Sequence, residues 1–124
     1  MKINKIDIVS IPVSDQQVSK KFYMDILGFE IVRENPMGPD QNWVELSLTG
    51  AQTSISLVTW FKNMPAGTLR GMVVETDDLE EAHTELNSRG LEISVIEKAP
   101  WGSYATFSDP DGNGWVLQQA FQAH

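Results

Sequence analysis

Among 124 residues with no cysteine and only two histidines, the side chains able to hold or act on another molecule are few and mostly aromatic. Glu45 lies two positions from Trp43, so in an extended strand the two share a face, while Val44, Leu46 and Leu48 take the other. An indole beside a carboxylate suits a planar or cationic guest. The ring face stacks on flat molecules and attracts cations, worth roughly 0.5 to 2 kcal/mol, and the carboxylate adds a counter-charge. Trp101, in the loop Lys98-Ala99-Pro100-Trp101-Gly102, is expected as a lid over such a guest, and Tyr104 and Gln118 have the parity to add hydrogen bonds. A different use of Glu45 is as a general base, provided burial raises its pKa; a third reading leaves it solvated and inert. Ser10 and Ser47 have no base nearby in sequence, so neither reads as a nucleophile. His83 is expected on the exposed part of a helix and His124 in the tail, outside any metal site.

Composition narrows the classes. The chain can bury one respectable core, so a single domain over residues 1–124 is expected. Zero cysteines removes disulfides, zinc knuckles and thiol nucleophiles. A net charge of -8 argues against nucleic acid, whose phosphates demand a basic face. It would steer cations towards a groove, or serve solubility alone. No apolar run approaches the roughly 20 residues of a membrane span, and no signal core opens the chain. A cytoplasmic protein without membrane partners is expected.

Two similar halves must position these side chains. Ile6 to Val13 alternates as a half-buried strand does, and Asp15 offers an N-cap to a helix running to about Leu27, with Val18, Phe22, Ile26 and Leu27 on its apolar face and Gly28 as its stop. Phe29 to Val32 begins a further strand. Met72 to Thr76, the cap Asp78, the stripe Leu79, Ala82 and Leu86, the stop Arg89-Gly90 and the strand start Leu91 to Ile93 repeat that order. Gly28 and Gly90, Glu30 and Glu92, and Ile31 and Ile93 are each 62 positions apart. Each half then adds two strands: Trp43 to Leu48 and Thr53 to Trp60, then Tyr104 to Ser108 and Gly114 to Phe121. The last pair flanks Asp109-Pro110-Asp111-Gly112-Asn113, where Pro presets a turn φ and Gly takes the position a side chain would crowd. The reading is a tandem βαβββ repeat: module 1 at about 1–61, a linker at about 62–68, module 2 at about 69–124. Trp115 has the parity to pack under the helices, and Trp60 is read as core or dimer interface.

The opening strand Ile6 to Asp15, the helix end Phe22 to Phe29 and the Asp-Pro-Asp-Gly-Asn turn resemble the vicinal oxygen chelate superfamily, which includes glyoxalase I, extradiol dioxygenases and bleomycin-resistance proteins. The resemblance implies an α+β fold in which two βαβββ modules make a cup-shaped, partly open mixed sheet with helices outside. It also implies four metal-ligand positions, which fall here on Ile8, Glu45, Gly71 and Val116. One carboxylate of four cannot hold a catalytic divalent ion, so no metal and no cofactor is expected. What remains is sequestration of a small cationic or aromatic compound, such as an antibiotic, by Trp43, Glu45, Trp101, Tyr104 and Gln118. The alternative is an enzyme of the same superfamily, either metal-free with Glu45 as base or with relocated metal ligands. The resemblance further implies a homodimer with its groove at or near the subunit contact, which would also cover exposed sheet edges. Loops Asn35 to Asn42 and Lys98 to Ser103 are expected to shape that groove.

Overall fold

The β-branched, alternating runs become strands and the capped amphipathic runs become helices, once in each half. The computed structural model describes residues 1–120. In the first half, β1 (Ile8–Pro12) leads to α1 (Gln16–Asp25), then β2 (Glu30–Gly38), β3 (Gln41–Ser47) and β4 (Ser54–Val58). The second half repeats the order with β5 (Met72–Glu75), α2 (Leu79–Ser88), β6 (Glu97–Ala99), β7 (Gly102–Ser108) and β8 (Gly114–Ala120). Each half is a four-stranded mixed sheet, ordered β1-β4-β3-β2 and β5-β8-β7-β6. The outer pairs β1/β4 and β5/β8 are parallel, because a helix-containing crossover separates them; the remaining pairs are antiparallel. The two expected modules are present, and the fold is α+β.

Both caps act as anticipated. The Asp15 carboxylate accepts from the backbone of Gln17 and Val18, and Asp78 from that of Glu81, satisfying donors that a helix start leaves open. Of the apolar face expected for α1, Phe22, Ile26 and Leu27 pack against the core, but Val18 does not. Val18 is 54% exposed, whereas Ser19 and Tyr23 are buried. Tyr23 wins the interior because its ring meets Phe22, Phe29 and Trp115 edge-on while its hydroxyl finds the Asp109 carboxylate.

One face of each sheet packs into a single shared core. Ile11, Val44, Leu46, Ile55 and Leu57 contribute from module 1, and Leu79, Leu91, Phe107, Trp115 and Leu117 from module 2. Trp115 lies in that core as its parity indicated, stacked on Phe107 at 6.3 Å between ring centres. Fully burying such side chains contributes about 1.5 to 3 kcal/mol each, so this face holds the modules together.

Three sequence expectations need correction. Residues 35–42 are not a loop: β2 and β3 run on to a tight turn at Pro39-Asp40, where Asp40 takes φ 63°. Residues 98–103 are likewise mostly strand, with Pro100 and Trp101 forming the turn between β6 and β7. Conversely, Leu91 to Ile93 begins no strand; Ile93 makes only an isolated bridge to Phe107 before β6. Among the described residues no helix is long and apolar enough to cross a membrane. His124 and Phe121 lie outside the described residues.

Candidate functional site

The face of each sheet that turns from the shared core carries the candidate residues. In module 1 that face is settled by register: Glu45 stands opposite Ser56, Ser10 opposite Ser56 on the other side, and Ile8 opposite Ser54. Trp43 shares it, as its parity requires. A bulge in β2 then adds a residue that alternation misassigns. Ile31 pairs with Leu46 on the core side, but Val32 is extra, and Arg33 pairs with Glu45. Strict alternation from Ile31 would turn Arg33 towards the core; the bulge re-aims it onto the outer face.

Glu45 is neither solvated nor free. It is 3% exposed and accepts three hydrogen bonds: from the Ser54 hydroxyl at 2.7 Å, the Arg33 Nε at 3.0 Å and the Trp43 Nε1 at 3.1 Å. Burial alone would push its carboxyl up. The hydrogen bonds from Ser54 and Trp43, with the Arg33 charge, outweigh that and hold it below the ordinary glutamate value. The condition set for a general base, a raised pKa, is therefore not met. The solvated reading of Glu45 is also corrected, since desolvation is compensated by three donors rather than by water. Beside it, the Ser56 hydroxyl is buried without a hydrogen-bond partner, the one such side-chain atom among the described residues.

In module 2, Tyr104 and Gln118 stand opposite each other on β7 and β8, next to Val116 and Thr106. Trp101 is 48% exposed at the β6–β7 turn and stacks on Tyr104, ring centres 5.7 Å apart and planes 24° apart. The expected lid is thus a short hairpin tip resting on its own strand. Gly102 permits the tight approach, since a Cβ there would meet the Gln119 backbone oxygen. Trp43, Glu45 and Arg33 are therefore one group, and Trp101, Tyr104 and Gln118 another. Among the described residues no hydrogen bond, aromatic contact or strand pairing joins the two groups within the chain.

The four positions implied for a metal do not fit one. Ile8, Gly71 and Val116 offer no side-chain ligand atom, and the carboxylate of Glu45 already accepts three hydrogen bonds. Among the described residues no three His, Asp or Glu side chains gather. His83 is half-buried rather than exposed, its Nε2 2.7 Å from the Ser94 carbonyl oxygen, which ties α2 to the segment before β6. Trp60 is half-buried and leans on Phe61, which is 48% exposed.

The Asp-Pro-Asp-Gly-Asn turn does structural work away from this face. Asp109 accepts from the Tyr23 hydroxyl at 2.8 Å and the Asn113 side chain at 2.8 Å, while Asn113 also donates to the Pro12 carbonyl and accepts from the Leu69 backbone. Trp115 Nε1 donates to the Tyr23 oxygen at 3.0 Å. Burial, and then the Asp109 charge, push the Tyr23 hydroxyl far above its ordinary pKa, so it remains a neutral donor. A separate apolar cleft of about 320 Å³ opens on the helix side, among Ile26, Phe29, Ala82, Leu86, Phe107 and Leu117, and no candidate residue reaches it.

Comparison with known proteins agrees with the fold. Residues 5–117 match the model of the glyoxalase/bleomycin resistance protein/dioxygenase superfamily. The chain is 40% identical to TnmS3, an antibiotic binding protein from Streptomyces sp. CB03234, whose crystal structure superposes with a TM-score of 0.92 over 98% of this chain and 99% of that one. A glyoxalase/bleomycin resistance protein from the same organism is 41% identical, with a TM-score of 0.83 over 93% of this chain and 100% of that one. The uncharacterized protein YetH of Bacillus subtilis is 32% identical, covering 94% of this chain and 99% of its own.

Proposed function

Because this chain belongs to the glyoxalase/bleomycin resistance protein/dioxygenase superfamily, we propose that it binds a small aromatic compound, such as an antibiotic, and holds it unchanged. The observation that carries this reading is the state of Glu45. The lone carboxylate at the implied ligand positions accepts hydrogen bonds from Ser54, Trp43 and Arg33, which suits a fixed recognition surface better than a proton-transfer group. The 40% identity to an antibiotic binding protein over nearly the whole chain supports the same reading. Trp43 and Trp101 would supply the stacking surfaces, with Tyr104 and Gln118 as polar contacts. The net charge of -8 would favour cationic compounds at long range, in a cytoplasmic setting.

The groove would be completed in a homodimer. The two candidate groups sit on separate sheets, and β1 and β5 each pair on one side only, leaving free edges. An edge-to-edge contact between subunits would cover them and bring module 1 of one chain beside module 2 of its partner. A tryptophan-fluorescence titration with bleomycin-type and other planar antibiotics, with and without chelator, tests the function. Saturable, chelator-insensitive quenching at micromolar ligand is expected. A flat response across the panel would overturn the reading.

A further inference from the structure

The group that module 1 offers to a ligand is not the Glu45 carboxylate. Both Glu45 oxygens already accept hydrogen bonds, Oε1 from Arg33 and Trp43 and Oε2 from Ser54. Arg33 is the reverse. Its side chain is 59% exposed, only Nε is used on Glu45, and its terminal amines have no partner among the described residues. The ion pair holds the guanidinium through Nε and leaves its terminal amines available to another acceptor. A second donor stands nearby on the same face: Ser56, directly across the strand pair from Glu45, 1% exposed, with its hydroxyl unpartnered. A buried hydroxyl left without a partner is costly, and an acceptor brought by a ligand would relieve it. Trp43 donates its indole N–H to the same Glu45 oxygen that holds Arg33 Nε.

From this arrangement we infer that module 1 recognises a hydrogen-bond-accepting oxygen, a carboxylate, phenolate or carbonyl, on a planar aromatic ligand, with Arg33 and Ser56 as donors and Glu45 as the positioning residue for Arg33 and Trp43. This rests on the binding reading and names the ligand's chemistry within it. A cation would meet the Arg33 guanidinium, not a free carboxylate. The overall negative charge acts at a distance and is screened within about 8 Å at physiological salt, whereas Arg33 and Ser56 act at contact.

Two probes of the same shape decide it: anthracene-2-carboxylate and 2-(aminomethyl)anthracene, followed by anthracene fluorescence anisotropy against the intact protein. The carboxylate is expected to bind at least about tenfold more tightly, the order of one hydrogen bond to a charged group. Ser56→Ala should weaken the carboxylate about fivefold and leave the ammonium probe within about twofold. Arg33→Gln should weaken it about tenfold or more. If that variant loses its fold because Glu45 is left unpaired, Arg33→Lys keeps the charge and removes the fork, and a loss of about fivefold is expected. Equal or tighter binding of the ammonium probe, or variants that weaken both probes alike, would overturn the assignment while leaving aromatic binding in place. No binding of either probe overturns the inference too. The antibiotic titration then decides separately whether the wider reading stands.

Discussion

A buried carboxylate with three donors has a pH signature of its own. Glu45 and Glu34 are both held below the ordinary glutamate value, Glu45 by Ser54, Trp43 and Arg33 against the opposing effect of burial, Glu34 by Gln17 and Lys20. A folded-state value below the unfolded one means the stabilisation is complete above the unfolded value of about 4.3 and disappears as pH falls through the folded value. Glu45→Gln should therefore lower stability at pH 7 by about 1 to 3 kcal/mol and flatten the acid limb below about pH 4.3, since the neutral amide no longer titrates. Urea midpoints measured from pH 7 down to pH 3 would show this. An unchanged acid limb would mean Glu45 carries no net pairing energy. The same variant separates positioning from counter-charge. With Arg33 released, affinity for an acceptor-bearing ligand falls, whereas a counter-charge role predicts loss only for cations.

Helix α1 and the turn before β8 depend on each other although the sequence places them far apart. The turn was legible as a turn, because Pro110 and Gly112 carry its conformational demands locally. Its function as a clamp was not, because Tyr23 is 86 positions from Asp109 and Pro12 is 101 from Asn113. Asn113 is fully buried and bridges the turn to β1 and to the β5 approach. Asn113→Ala should cost about 2 to 4 kcal/mol by leaving several buried groups unpaired, seen as a lower denaturant midpoint at constant slope. A loss below about 0.5 kcal/mol would mean water replaces the side chain fully. Gly67 touches the same turn: with φ 83° and the Asp111 carbonyl against its Cα, it has no room for a side chain. The bulge at Val32 lies at this scale as well. Period-two alternation assigned Trp43 and Glu45 correctly but offered no sign that one extra residue would swing Arg33 to their side.

For the whole molecule, the proposed homodimer turns on which chain would complete which groove. A mixed dimer of Arg33→Gln and Trp101→Ala chains discriminates. If module 1 of one subunit faces module 2 of the other, one groove carries both lesions and the second carries none, so half the sites should bind at parental affinity in equilibrium dialysis. If each groove belongs to one chain, every site carries one lesion and no parental site survives. The sequence by itself determined the two-module plan, the helix caps, the hairpin turn, the core placement of Trp115 and the lack of a metal-ligand set at the implied positions. Each of these follows from local conformational preference, from periodicity or from which donor atoms exist at all. Only the tertiary structure decided that Tyr23 rather than Val18 enters the core, that Glu45 accepts hydrogen bonds from three neighbours, and that the Ser56 hydroxyl and the Arg33 terminal amines have no partner among the described residues. Those outcomes depend on cross-strand register and on contacts between distant segments, which no local pattern encodes.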